Sequence, residues 1–115
     1  MGIYSSKKKP CVSVCIPVYN GERYIEKCID SVLKQNFEDF ELLVLDNCST
    51  DSTAARVRNI NDVRVRYIRN NKNIGSINNF NKCIELASAE YFLLLPHDDL
   101  LLPGALGKFV DILAD

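Results

Sequence analysis

Short apolar runs alternate with longer segments in which apolar residues recur every three or four positions, and the pattern occurs four times along the chain. CVSVCIPV is β-branched and continuously apolar, which predicts a buried strand ending near Val18. NGERYIEKCIDSVLKQ follows with Ile25, Cys28, Ile29, Val32 and Leu33 at helical spacing and Asn20 placed as its cap. FELLVLDN repeats the strand signal, and CSTDSTAARVRNI opens a second helix with the cap-type residues Ser49 and Thr50. VRVRYIRN alternates apolar and basic residues, as a third strand with one wetter face does. SINNFNKCIELA then puts Ile77, Phe80, Ile84 and Ala87 on one helical stripe. YFLLLP is the fourth strand, and Pro103 suits the first turn of a last helix with Leu106, Phe109, Val110 and Leu113 on its apolar face.

Four successive strand-and-helix units predict an α/β fold, an open and largely parallel sheet with helices on both faces. Right-handed crossovers bring the carboxyl ends of all the strands to one edge, where ligands bind in such sheets. The polar clusters fall there: Tyr19-Asn20 after the first strand, Asp46-Asn47 after the second, His97-Asp98-Asp99 after the fourth. At 115 residues, 47% hydrophobic and 25% charged, the chain is long enough for one core, and a net charge of −1 gives no footprint for nucleic acid. The five cysteines lack the spacing of a zinc site or a disulfide framework and read as reduced, mostly buried small hydrophobes. Residues 1–10 read as a flexible basic tail and 11–115 as the folded unit. No apolar run is long enough to span a bilayer, so a cytoplasmic location is the default expectation.

Asp98 and Asp99 interrupt an apolar stretch, and an ionised carboxylate removed from water needs a cation, a ligand or a route to solvent. At a strand's carboxyl end the pair faces a cleft, and oxygen-only ligation suits Mg²⁺ or Mn²⁺, which complete their shells with phosphate oxygens and water. A diphosphate is the matching partner. His97 reads as a hydrogen-bonding neighbour and stays outside the metal shell. There is neither a GxGxxG nor a GxxxxGK[ST] segment, so phosphate binding has to come from elsewhere. A signalling receiver domain of similar length would need an acidic pair after the first strand, where Tyr19 and Asn20 stand. A nucleotidyltransferase would need a glycine-rich loop near its start.

PVYN at 17–20, LDNCSTDST at 45–53, NIGSINNFNKCIELASAEY at 73–91 and LPHDD at 95–99 occur in an order that resembles the family 2 glycosyltransferases. The resemblance runs from about Val12 to the end of the chain. It implies the nucleotide-binding half of a GT-A fold, a Rossmann-like sheet, and an inverting enzyme that uses a nucleoside-diphosphate sugar and a metal, Mn²⁺ or Mg²⁺. By that likeness Pro17, Tyr19, Asp46 and Asn47 hold base and ribose, Asp98 reaches a ribose hydroxyl or the metal, and Asp99 takes the metal at the diphosphate. The family's D-x-D-D pattern has Pro96 at its first position here. The usual second acidic residue after strand two is Asn47, and the usual arginine of the third helix is Phe80, leaving Asn79 as the candidate donor contact. The Asn47 amide would accept from the imide N–H of uracil or thymine and donate to the neighbouring carbonyl, favouring UDP or dTDP over GDP. The general base of this family lies well after the acidic pair, which leads to the expectation of a truncated chain without the acceptor half. Such a chain would tend to self-associate through the uncovered surface. The acceptor, whether saccharide, lipid-linked or protein, and peripheral contact with a membrane are left to the absent part.

Overall fold

A computed structural model describes residues 9–114, so most of the basic tail and Asp115 lie outside the described residues. The chain runs β1 Val12–Val18, α1 Ile25–Leu33, β2 Phe40–Asp46, α2 Thr53–Arg58, β3 Val65–Arg69, α3 Ser76–Leu86, β4 Tyr91–Leu94 and α4 Ala105–Ala114. The sheet order is β3-β2-β1-β4, and every pairing is parallel. The first two crossovers step outward in one direction, and the third returns past β2 and β1 to the opposite side. Crossovers of one hand moving in opposite directions put their helices on opposite faces, which accounts for α3 packing alone against the side away from α1.

Alternation along the two central strands supplies both cores. Val12, Val14, Ile16 and Val18 of β1 join Phe40, Leu42 and Val44 of β2 under α1, whose Ile25, Cys28, Ile29 and Val32 are buried as the spacing predicts. Each such side chain contributes about 1.5–3 kcal/mol by leaving water. Cys15, Leu43 and Leu45 face the other way and meet Cys83 of α3. The apolar stripe expected on α3 is rotated: Asn79 and Cys83 are its buried residues, while Ile77 and Ile84 are 75% and 49% exposed. The reason lies in the polar layer described below, which holds Asn79 inward. The expected caps also move. Asn20 and the Ser49-Thr50 pair bond each other's loops instead of opening α1 and α2, and Pro103 precedes α4, with Gly104 at φ +81° between them. All five cysteines are free thiols, three of them buried. Among the described residues no helix is long and apolar enough to cross a membrane.

At the amino-terminal edge one carboxylate ties three elements together. Glu41 of β2 accepts from Ser13 Oγ of β1, from Ser88 N (2.8 Å) and Oγ (2.9 Å) in the α3–β4 loop, and from Arg66 Nη1 (3.3 Å) of β3. Burial pushes its pKa up, but the hydrogen bonds from Ser13 and Ser88 outweigh that and hold it below the usual value. A carboxylate with a depressed folded pKa stabilises fully above the unfolded pKa, and this stabilisation is lost as pH falls through the folded value. Glu41→Gln is therefore expected to cost roughly 1–3 kcal/mol at pH 7. The difference in thermal midpoint from wild type should shrink as the pH falls through and below the ordinary carboxylate range, and a gap of constant size between neutral and strongly acid pH would contradict this account.

Candidate functional site

The sheet ends in a row. Val18, Asp46 and Arg69 are register partners across β1, β2 and β3, so the residues that follow each strand emerge side by side. Two of the resulting loops are laced together by reciprocal bonds. Asn20 N donates to Ser49 Oγ (2.8 Å), Thr50 N to Asn20 Oδ1 (2.8 Å), Gly21 N to Thr53 Oγ1 (2.9 Å) and Ser52 N to Glu22 Oε1 (2.9 Å). Asn20 and Cys48 take positive φ, +52° and +67°, to make the two tight turns.

Asp46 has no solvent exposure. Its Oδ1 accepts from the Ser49 amide at 2.8 Å, and its Oδ2 accepts from Tyr67 Oη and from Arg69 Nη1 at 3.3 Å. Burial and donation to this carboxylate raise the Tyr67 pKa, keeping the phenol protonated as a donor. Next to Asp46 lies a layer of asparagines. Asn47 Oδ1 accepts from Asn70 Nδ2 (3.0 Å) and Ile74 N (2.9 Å), while its Nδ2 donates to Asn73 Oδ1 (2.9 Å). Asn79 Oδ1 accepts from Asn70 Nδ2 (2.9 Å), and its Nδ2 donates to the Leu45 carbonyl (3.1 Å).

The cleft opens where β4 ends early. β4 pairs with β1 only as far as Cys15–Leu94, so the last residues of β1 have no partner on that side. The Cys15 carbonyl accepts from Leu95 N and the Val18 carbonyl from Asn47 N, so alternate residues of β1 face β4 and β2. Pro17 falls in the β4-facing set beyond the last rung, where its missing N–H leaves no ladder bond unmade. Pro17, Val18, Tyr19, Asn47, Ser76, Asn79 and His97 line a cleft of about 250 Å³ there. Two larger grooves, of about 430 and 330 Å³, lie along α1, away from the strand ends.

Of the residues expected to bind a nucleotide sugar, Pro17, Tyr19, Asn47 and Asn79 are thus brought together, and Asp46 stands behind them without reaching the cleft. The imide pairing expected of Asn47 does not survive: both lone pairs of its carbonyl are taken within the protein, leaving one N–H to offer. Asp98 and Asp99 are exposed in the turn after His97, where Asp99 N donates to the Pro96 carbonyl at 3.0 Å. Among the described residues no three His, Cys, Asp or Glu side chains converge. The pair does not form a protein-only cage, and a hard cation at these carboxylates would need phosphate oxygens and water in its remaining positions. The turn and the start of α4 are strapped to α1 and to Gln35 just after it: Cys28 Sγ donates to the Pro96 carbonyl (3.5 Å), Leu101 N to Ser31 Oγ (3.0 Å) and Leu106 N to Gln35 Oε1 (3.1 Å). Burial, then the charges of Asp99 and Asp98, push the Cys28 thiol up to about 12, so it acts as a neutral donor and not as a nucleophile.

The profile of the family described as Glycosyl transferase family 2 matches residues 13–115. The chain belongs to that family. Among its relatives is the GalNAc(5)-diNAcBac-PP-undecaprenol beta-1,3-glucosyltransferase of Campylobacter jejuni, 39% identical over 104 residues, or 88% of this chain and 34% of that protein. Among solved structures, S. aureus TarS 1-349 in complex with UDP-GlcNAc is similar at TM-score 0.78 and 31% identity, over 89% of this chain and 31% of that one. The mannosyltransferase PcManGT of Pyrobaculum calidifontis, in complex with GDP-Man and Mn²⁺, is similar at TM-score 0.84 and 27% identity, over 94% of this chain and 33% of that one. The chain spans about a third of the length of the Campylobacter enzyme and of each of these two solved chains. Family and fold are thus as the four motifs implied: an open parallel α/β sheet of the GT-A glycosyltransferases.

Sequence reasoning passed over Asn70, Asn73, Ser76 and Lys82, although the rule that strand ends carry the site, applied to β3, leads to Asn70. It also passed over Gly21. A Cβ built there would lie 2.5 Å from Val18 Cγ2 and 2.6 Å from His97 Cδ2, so the His97 ring rests directly on this glycine. Gly21→Ala is expected to destabilise by about 1–3 kcal/mol through overpacking and to displace the imidazole. A lowered melting temperature with shifted His97 ring resonances would agree, while an unchanged melting temperature and spectrum would contradict the packing described.

Proposed function

We propose that these residues form the donor-binding part of an inverting, metal-assisted glycosyltransferase that takes a nucleoside-diphosphate sugar. The observation that carries the reading is the cleft at the β1–β4 divergence, with Asn47 and Asn79 at its floor and Asp98-Asp99 following its wall residue His97. UDP-GlcNAc in TarS and GDP-Man with Mn²⁺ in PcManGT support it, each bound to a protein whose chain this one resembles over most of its length.

In this reading Tyr19, 45% exposed at the mouth of the cleft, offers its ring as a face for the base, and Pro17 closes the wall beside it. Asn47 presents one N–H to a base carbonyl. Asp46 works from behind, holding the β2 turn that aims Asn47. With the Asn47 carbonyl filled, the preference for UDP or dTDP over GDP loses its imide-pairing basis, and a carbonyl-bearing base is what the residue recognises. Asp98 takes a ribose hydroxyl or shares the cation, and Asp99 holds the cation against the donor's diphosphate. When bound there, Mn²⁺ or Mg²⁺ supplies the positive charge that stabilises the departing nucleoside diphosphate. The strap to α1 keeps both carboxylates positioned without removing them from solvent. No general base is assigned within these residues: Asp111, the one described carboxylate after Asp99, is exposed on α4.

Titration calorimetry with UDP tests the metal assignment. Mn²⁺ is expected to tighten binding by on the order of tenfold or more in the wild type, about 1.4 kcal/mol per decade, and most of that gain should vanish in Asp99→Ala. Equal Mn²⁺ enhancement in the two chains would remove Asp99 from the metal site.

A further inference from the structure

The asparagine layer has a direction, and a lysine outside the cleft fixes one end of it. Lys82 Nζ lies 2.6 Å from Asn70 Oδ1. An ammonium only donates, so this contact fixes the Asn70 carbonyl toward Lys82 and turns both Asn70 N–H groups inward, onto Asn47 Oδ1 and Asn79 Oδ1. The far ends agree: the Leu45 carbonyl, which only accepts, faces Asn79 Nδ2, and the Ile74 amide, which only donates, faces Asn47 Oδ1. Asn73 closes the sequence, its Oδ1 accepting from Asn47 Nδ2 and from the Gly75 amide at 2.8 Å. Asn47, Asn70 and Asn79 are each at most 4% exposed, so none of these amides exchanges its partner freely with water. None of the five ion pairs among the described residues includes Lys82, whose ammonium is committed to an amide and not to a carboxylate.

We infer that Lys82 is a positioning residue for base recognition: through Asn70 it acts with the Ile74 amide and the Leu45 carbonyl to hold Asn47 and Asn79 oriented so that the cleft presents N–H donors and therefore selects a base with a carbonyl where a competitor has an amino group. The inference rests on the donor-binding reading above. Its chemical consequence concerns two nucleotides of equal size. Uracil carries an acceptor at O4, and cytosine carries an N4–H₂ donor in the same place. A donor-lined cleft pairs with the first and sets donor against donor with the second. A buried donor left unpaired typically loses fivefold to a hundredfold in binding.

Two measurements on the full chain test this. Side-chain amide NMR of the ligand-free protein reads the network directly, and competition calorimetry with UDP and CDP reads the selectivity. In the wild type the Asn70 Nδ2 protons should be protected from exchange, and UDP should be preferred over CDP by about tenfold or more. Lys82→Met should lose both the protection and most of the preference. Lys82→Arg, whose guanidinium also only donates, should keep both. Asn70→Asp keeps a partner for Lys82 but has no N–H to turn inward, and it should lose the preference while remaining folded. A Lys82→Met chain that weakens UDP and CDP by the same factor, or that keeps its Asn70 protons protected, overturns the assignment by showing a merely structural role. A wild type with protected Asn70 protons that binds no nucleoside diphosphate overturns both the selectivity role and the donor-site reading.

Discussion

The fully buried carboxylate of Asp46 is the constraint around which the strand-end edge is built. A carboxylate removed from water at the end of β2 costs several kcal/mol unless it is paired and hydrogen-bonded. Here the pairing draws three donors from two parts of the chain: the amide of Ser49 in the following turn, and the phenol of Tyr67 and the guanidinium of Arg69 from β3. Meeting that requirement sets the tight β2–α2 turn and holds β3 in register. The Asp46 carbonyl also accepts from Asn70 N at 2.8 Å. Asn47 is thereby delivered to the floor of the cleft with its backbone N–H tied to β1 and its side chain tied to Asn70 and Asn73.

The opposite wall has a different origin. β1 and β4 part after Cys15 and Leu94, because the chain beyond β4 turns toward α1 and is held there by Cys28, Ser31 and Gln35. Cys28 belongs to the buried face of α1, Ser31 lies one turn further along the same helix, and Gln35 follows just after its end. The gap they enforce is the cleft, and it leaves Asp98 and Asp99 in water beside an otherwise apolar strand. The carboxylates that interrupt the run YFLLLPHDDLLLP are solvated at a sheet edge, which is the condition for meeting a cation and a diphosphate from one side.

Much of this was legible in the sequence. The four strands and the apolar face of α1 follow from periodicity, and the family follows from four motifs in order. What was not legible has a common cause. Ile77 and Ile84 suggested the buried stripe of α3, but Asn79 is drawn inward by the Leu45 carbonyl and by Asn70, partners 34 and 9 residues away. Asn20 and Ser49 have the side chains of helix caps and instead cap each other's loops across 29 residues. Nothing local to Asn47 shows that Asn70 and Ile74 occupy its carbonyl. Long-range hydrogen bonding, invisible to a local window, decided each case. The PVYN, LDN and HDD segments were legible as a site because parallel topology brings strand ends together whatever their sequence separation.

The central claim is that the smallest of the three grooves discussed, the one at the strand ends, is where a nucleoside diphosphate binds. Backbone amide chemical-shift mapping of the uniformly ¹⁵N-labelled chain titrated with UDP tests it most directly. The account predicts perturbations centred on Val18, Tyr19, Asn47, Ser76, Asn79 and His97, and little change along α1. Shifts concentrated on Lys27, Ile29, Leu33 and Ile60, which line the 430 Å³ groove, would contradict it.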